Sequence, residues 1–244
     1  MRRFLTTSFT VLALIALTAV AASAAEAAAG APAQKSSSLF DLYLHSMPVG
    51  GMLTILSFIT FSLALTWTFS MRSEDLVPVG IAEEIHQLFA EGATDEAVEQ
   101  AKSVAAGSPS MLGNVLAAAL EKKDFGHAAM IEAAEEVGLA EHTKYNSKVG
   151  WLGLFSSSAT LLGLLGTVSG IIGAFLGMGS QQGAVDPSKL ATSIGEALVC
   201  TFMGLAIAIV GLYFFFFLRN RVNQAALDTS VYAKEVLDYF RSDR

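Results

Sequence analysis

The chain has one cysteine in 244 residues, Cys200. No internal disulfide can form, and no cysteine pair exists to hold zinc. His86, His127 and His142 have no second ligand at metal spacing, so neither a metal site nor a cofactor is expected. Charge is scarce: 15% of residues are charged and 53% are apolar, which is a membrane-protein profile rather than a soluble one. Positive charge is the rarer sign, with Lys+Arg 15 against Asp+Glu 22. The patches Glu83-Glu84, Asp95-Glu96-Glu99 and Glu135-Glu136 read as solvated acidic faces. Nucleic-acid binding needs a basic face, so nucleic acid is not an expected partner. No nucleotide loop, nucleophile elbow or zinc motif is present, so no enzyme is expected.

What the chain does have is two long apolar runs, WLGLFSSSATLLGLLGTVSGIIGAFLGM and ATSIGEALVCTFMGLAIAIVGLYFFFFL, joined by a polar loop. Each exceeds the roughly 20 apolar residues that cross a hydrocarbon core. They predict a transmembrane hairpin spanning 149–178 and 191–218. Steps of four and three from Ser156 collect Thr160, Gly163, Thr167, Gly170, Ala174 and Gly177, all small. Lipid supplies no hydrophobic drive between helices, so small residues that allow close backbone approach mark a protein-facing or pore-facing side. Gly163, Gly166, Gly170, Gly173, Gly177 and Gly204 are the candidate packing points. Any one glycine reads equally as a packing point and no more, and Thr160 and Thr167 as hydroxyls bonded to their own backbone. On the second run a similar stripe passes through Ser193, Ala197, Cys200, Gly204, Ala208 and Gly211. Cys200 is a small packing residue there.

Glu196 is the single carboxylic acid in the two runs. A charged side chain at the bilayer centre costs about 2.5–3.5 kcal/mol on insertion scales, so such a residue faces a cavity or a partner by default. The alternative is an acid close to the outer interface that snorkels. Thr201, five residues on, points well away from Glu196 at about 100° per residue. The two share a lumen only if the helix exposes a wide arc.

The segments LLGLLGTVSGIIGAFLGM and IGEALVCTFMGLAIAI resemble the ExbB/TolQ/MotA family of proton-channel subunits, most closely ExbB and TolQ. The GLLGTV element and the EAL segment carry the likeness, which covers Ser156 to Arg221. Ser169 departs from it, where many members have tryptophan. The resemblance implies an all-α membrane protein with three transmembrane helices, long helical cytoplasmic extensions and a pentameric ring. It implies that Thr167 and Thr201 take the places of pore threonines and Glu196 that of the intramembrane glutamate, with Thr160 beside them. It implies a dimer of a single-span ExbD/TolR-like protein in the lumen, and a TonB- or TolA-like protein beyond it. A non-conducting scaffold and a flagellar-type stator are the competing functions. The stator fits less well, because that branch has four spans.

The rest of the chain sets the topology. Residues 1–25 read as a secretory signal: Arg2-Arg3, an apolar centre from Phe9 to Val20, and small residues at Ala22-Ser23-Ala24. Residues 26–47 are a periplasmic segment with a short interfacial helix over Leu39–Met47. Residues 48–71 form the first span, with Trp67 near its inner end. Residues 72–148 are cytoplasmic helices. Ile81, Ile85, Leu88 and Phe89 repeat at helical spacing. Thr94 or Asp95 caps a second helix, a third runs from Met111 to Lys122, and a last runs from Phe125 toward the membrane. Residues 179–190 are a periplasmic loop and 219–244 a cytoplasmic helix. Arg72, Lys144, Lys148, Arg219 and Arg221 flank the ends assigned to the cytoplasm, in line with the positive-inside rule. The expected home is the bacterial inner membrane, with the mature N-terminus periplasmic and the C-terminus cytoplasmic.

Overall fold

The structure is a computed structural model, and it describes residues 49–90, 92, 94–179 and 187–241. The signal at 1–25, the 26–47 segment and most of the 179–190 loop lie outside the described residues. Regular structure among the described residues is entirely helical. In order it comprises α1 (Val49–Ser70), α2 (Ser73–Leu76), α3 (Val79–Phe89), α4 (Asp95–Ala106), α5 (Met111–Glu121), α6 (His127–Gly179) and α7 (Pro187–Leu237). Two 3-10 turns, Lys123–Phe125 and Asp238–Phe240, precede α6 and follow α7.

Among the described residues three helices, α1, α6 and α7, are long and apolar enough to cross a membrane. At about 1.5 Å per residue, α6 and α7 each run to nearly 80 Å, more than twice a hydrocarbon core of about 30 Å. Their apolar stretches keep large side chains uncovered: Phe175 is 63% exposed, Leu161 67% and Ile209 68%. Water would penalise such a surface, whereas acyl chains suit it. Three threonine hydroxyls of α1 are absorbed by its own backbone. Thr54, Thr60 and Thr68 donate to the carbonyls of Gly50, Leu56 and Ala64 at 2.9, 2.8 and 2.6 Å. In a bilayer those groups have no water to bond instead.

The chain divides into two compact units. The first takes in residues up to Ser62 and Gly153–Tyr213; the second is Leu63–Leu152 with Phe214–Arg244.

The second unit has a conventional apolar core. Ile85 and Phe89 of α3, Val98 and Ala101 of α4, Leu112, Leu116 and Leu120 of α5, Met130 of α6 and Val222 and Val236 of α7 are almost fully buried. Two of the short helices, α4 and α5, start on capping side chains. Thr94 Oγ1 accepts from Ala97 N at 3.3 Å, and Ser110 Oγ accepts from Gly113 N at 3.0 Å. Each satisfies one of the donors left unpaired in a first turn. Gly126, at φ +91, supplies the left-handed residue between the first 3-10 turn and α6. At the chain's far end Phe240 stacks edge-on against Phe89, with ring centroids 5.4 Å apart. Arg221 closes the end of α1: its Nη1 donates to the carbonyls of Thr68 and Met71 at 3.3 and 3.0 Å. Its guanidinium lies 4.8 Å from the Phe217 ring centroid. Thr68 lies in the last turn of α1 and Met71 one residue beyond it, the stretch where helix carbonyls run out of intrahelical partners.

Candidate functional site

The site begins with how closely α6 and α7 approach in the first unit. A methyl placed on Gly163 would sit 3.1 Å from Cys200 O and 3.2 Å from Gly204 Cα. One on Gly204 would sit 2.6 Å from Ala159 O and 2.9 Å from Gly163 Cα. One on Gly166 would meet Cys200 Cβ at 2.6 Å, and one on Gly170 would meet Ala197 Cβ at 2.7 Å. The backbones are in direct contact, and only glycine fits at the crossing. The row of α6 at the seam is Ser156, Ala159, Gly163, Gly166 and Gly170. The row of α7 is Ala197, Cys200, Gly204, Ala208 and Gly211.

On α7 this is the stripe drawn from sequence. On α6 it is not quite that stripe. Ala159 and Gly166 occupy the seam where the pattern placed Thr160 and Thr167, each one residue later. The larger threonines would hold the backbones apart, so they turn to the flank. Thr160 is exposed and Thr167 half-buried. A methyl placed on Gly173 or Gly177 would meet nothing within 4 Å among the described residues.

The flanks differ. Taking about 100° per residue around each helix, Thr167 and Thr160 lie about 60° and 80° to one side of the seam on α6. On α7, Thr201 lies about 60° to one side and Glu196 about 80° to the other. Because the helices are antiparallel, the same rotational sense on both leads to the same side of the pair. Thr160, Thr167 and Thr201 therefore share a flank. Helix α1 holds the other: Val49 Cγ1 is 3.3 Å from the Gly166 Cβ position, and Thr60 Cγ2 is 2.9 Å from that of Gly211. Both contacts fall on the side of the seam away from the threonines. Glu196 is half-buried and on α1's side. Within one chain, then, Glu196 does not share a face with Thr167 and Thr201.

The two threonines converge on a single turn of α6. Thr201 Oγ1 donates across the seam to Gly163 O at 2.9 Å. Thr167 Oγ1 donates to Leu164 O at 2.7 Å. Adjacent carbonyls of α6 thus hold both hydroxyls on the flank that α1 leaves open. The bond from Thr201 between the helices has no sequence signal, because a helical period says nothing about which carbonyl lies opposite.

A groove of about 300 Å³ lies elsewhere, in the second unit, lined by residues that include Val115, Leu139, His142, Thr229 and Ala233. It touches none of the residues above.

Comparison with known proteins places this arrangement. Residues 107–230, about half the chain, match the sequence model of the MotA/TolQ/ExbB proton channel family. The chain belongs to that family. The matched region contains Thr160, Thr167, Glu196 and Thr201 together with the α6–α7 seam. The Biopolymer transport protein ExbB of Xanthomonas campestris pv. campestris is 31% identical over 121 residues, 50% of this chain and 46% of that protein. Biopolymer transport protein exbB1 of Vibrio cholerae is 41% identical over 66 residues, 27% and 29% of the two chains. A putative ExbB homolog of Methanothermobacter thermautotrophicus is 33% identical over 92 residues, 38% and 32%. The chain spans less than half the length of each of these relatives. The chain is an ExbB-like, multi-pass membrane protein.

Proposed function

We propose that this chain is the channel-forming subunit of an inner-membrane complex that spends the proton motive force on transport or envelope work at the outer membrane. Copies of it form a ring, a pentamer by resemblance, around a dimer of an ExbD/TolR-like single-span protein. A TonB- or TolA-like protein passes the work outward. The cytoplasmic side holds Arg72, Lys144, Lys148, Arg219 and Arg221, as positive-inside asks.

One observation carries the proposal: two membrane hydroxyls, Thr167 and Thr201, meet on a flank that the chain's own first span leaves uncovered. That flank is the lumen wall, and the partner's membrane carboxyl docks on it. Glu196, on the other flank, shapes the field along the proton's path. Each proton crossing releases about 2.3 kcal/mol per 100 mV, enough to favour stepwise displacement of the inner helices within the ring.

The test is proton flux in liposomes holding the protein with its single-span partner. Thr167→Val and Glu196→Ala should each reduce flux while the complex keeps its mass. Unchanged flux in both would remove these residues from the pathway. A passive scaffold would instead tolerate Glu196→Leu and conduct nothing at any pH.

A further inference from the structure

We propose that Arg72 and Arg221 form a binding site for the phosphate of an anionic phospholipid, with an acyl chain lying along Leu65 and Phe69 of α1. The site falls wholly within the second unit. It stands whether or not the chain conducts protons.

Arg221 reaches from α7 to the end of α1. Its Nη1 is spent on the carbonyls of Thr68 and Met71, at 3.3 and 3.0 Å. One face of its guanidinium is taken by the Phe217 ring, 4.8 Å away at the centroid. A guanidinium carries five N–H donors in a planar fork. Its Nε–Nη2 edge is therefore left without an acceptor among the described residues. That edge offers two parallel donors, the geometry that grips two oxygens of one phosphate. Arg72 follows Met71 directly, so a second guanidinium is rooted one peptide bond from the carbonyl that Arg221 holds. Arg72 is exposed. Its charge and the partial burial of Arg221 both work against the Arg221 cation. Among the described residues neither arginine has an ion pair, and Glu74 and Asp75, the acids nearest in sequence, pair with neither. An anion from outside the chain relieves the repulsion and fills the fork.

Position selects a lipid over a free anion. α1 ends at Ser70, so the arginines stand where the first span leaves the hydrocarbon. Leu65 and Phe69, one turn apart on one face of α1, are 41% and 66% exposed and lead toward Arg72. Inorganic phosphate would satisfy the arginines and leave that apolar surface bare, whereas a phospholipid covers both. A zwitterionic headgroup brings its own cation, so two guanidiniums favour a lipid of net negative charge.

The test is native mass spectrometry of the purified full chain in detergent, titrated with dioleoyl-phosphatidylglycerol, dioleoyl-phosphatidylcholine or inorganic phosphate. One phosphatidylglycerol per chain should bind ahead of phosphatidylcholine, and equimolar phosphate should not displace it. Arg72→Gln removes a side chain with no hydrogen bond or ion pair among the described residues, so the fold is kept. It should weaken phosphatidylglycerol about 10- to 100-fold, the loss of a charge-assisted contact. Lys148→Gln removes another boundary cation and should cost no more than about fivefold, the general attraction of one basic residue to an anionic surface. Equal losses in the two variants would reduce the site to diffuse charge and overturn it. Phosphatidylcholine bound as tightly as phosphatidylglycerol, or no retained lipid at all, would also overturn it. Displacement by equimolar phosphate would make it a free-anion site and refute the lipid.

Discussion

Gly204→Ala tests the seam most directly. The added methyl would lie 2.6 Å from Ala159 O and 2.9 Å from Gly163 Cα. Both are backbone atoms, with no side chain to swing aside. The helices must part by several tenths of an ångström, and overpacking of this sort costs about 1–3 kcal/mol. Parting them also stretches the Thr201–Gly163 hydrogen bond from 2.9 Å, a loss of about 1 kcal/mol. Alanine's higher helix propensity returns about 1 kcal/mol. The net is a destabilisation of about 1–3 kcal/mol, or roughly 5- to 150-fold in the folding equilibrium at 1.36 kcal/mol per decade. Gly173→Ala is the comparison, because nothing lies within 4 Å of its Cβ position. It gains the same propensity without the collision. Thermal unfolding of the two variants in one detergent, followed by loss of the monodisperse peak, gives the readout. The prediction is a lower midpoint for Gly204→Ala only. A Gly204→Ala protein as stable as wild type would refute backbone contact at the crossing.

Other substitutions probe the second unit. Gly113→Ala would drive a methyl into Ser108 O and to 2.8 Å from Ala105 O, so a loss of about 1–3 kcal/mol is expected in denaturant titration. Arg221→Met removes the donor to Thr68 O and Met71 O. Hydrogen bonds from a charged group are worth about 1.5–3 kcal/mol, and faster amide exchange in the last turn of α1 should report their loss. Acid should also act at the start of α4. The hydrogen bond and charge of Lys123 hold the fully exposed Asp95 carboxyl below its usual 3.8. Its folded value is depressed, so its contribution is complete above the usual value and is lost as pH falls through the lowered one. An NMR titration of Asp95 that moved up to the ordinary value in Lys123→Met would confirm the cause, and no movement would dismiss it.

Much of the architecture was legible because its determinants are local. A bilayer demands long apolar helices, and α1, α6 and α7 announce themselves by length and hydropathy. Thr94 at the start of α4 and the Ile85–Phe89 spacing of α3 are short-range signals of the same kind. The small stripe of α7 was legible too, since Ala197, Cys200, Gly204, Ala208 and Gly211 have large neighbours on either side. On α6 the pattern was degenerate. Two rows one residue apart, through Thr160 and Thr167 or through Ala159 and Gly166, are both small and both helical in period.

The sequence by itself determined the class, the spans and the family. Those depend on composition, on length and on motifs such as GLLGTV, none of which needs a partner helix to be read. The tertiary structure alone decided which row of α6 touches α7, that Thr201 spends its proton on Gly163, that Arg221 closes α1, and that Glu196 stands across the seam from the threonines. Each of these depends on which atom lies opposite another across a helix crossing. A period of 3.6 residues fixes the face a side chain is on, but not what that face meets.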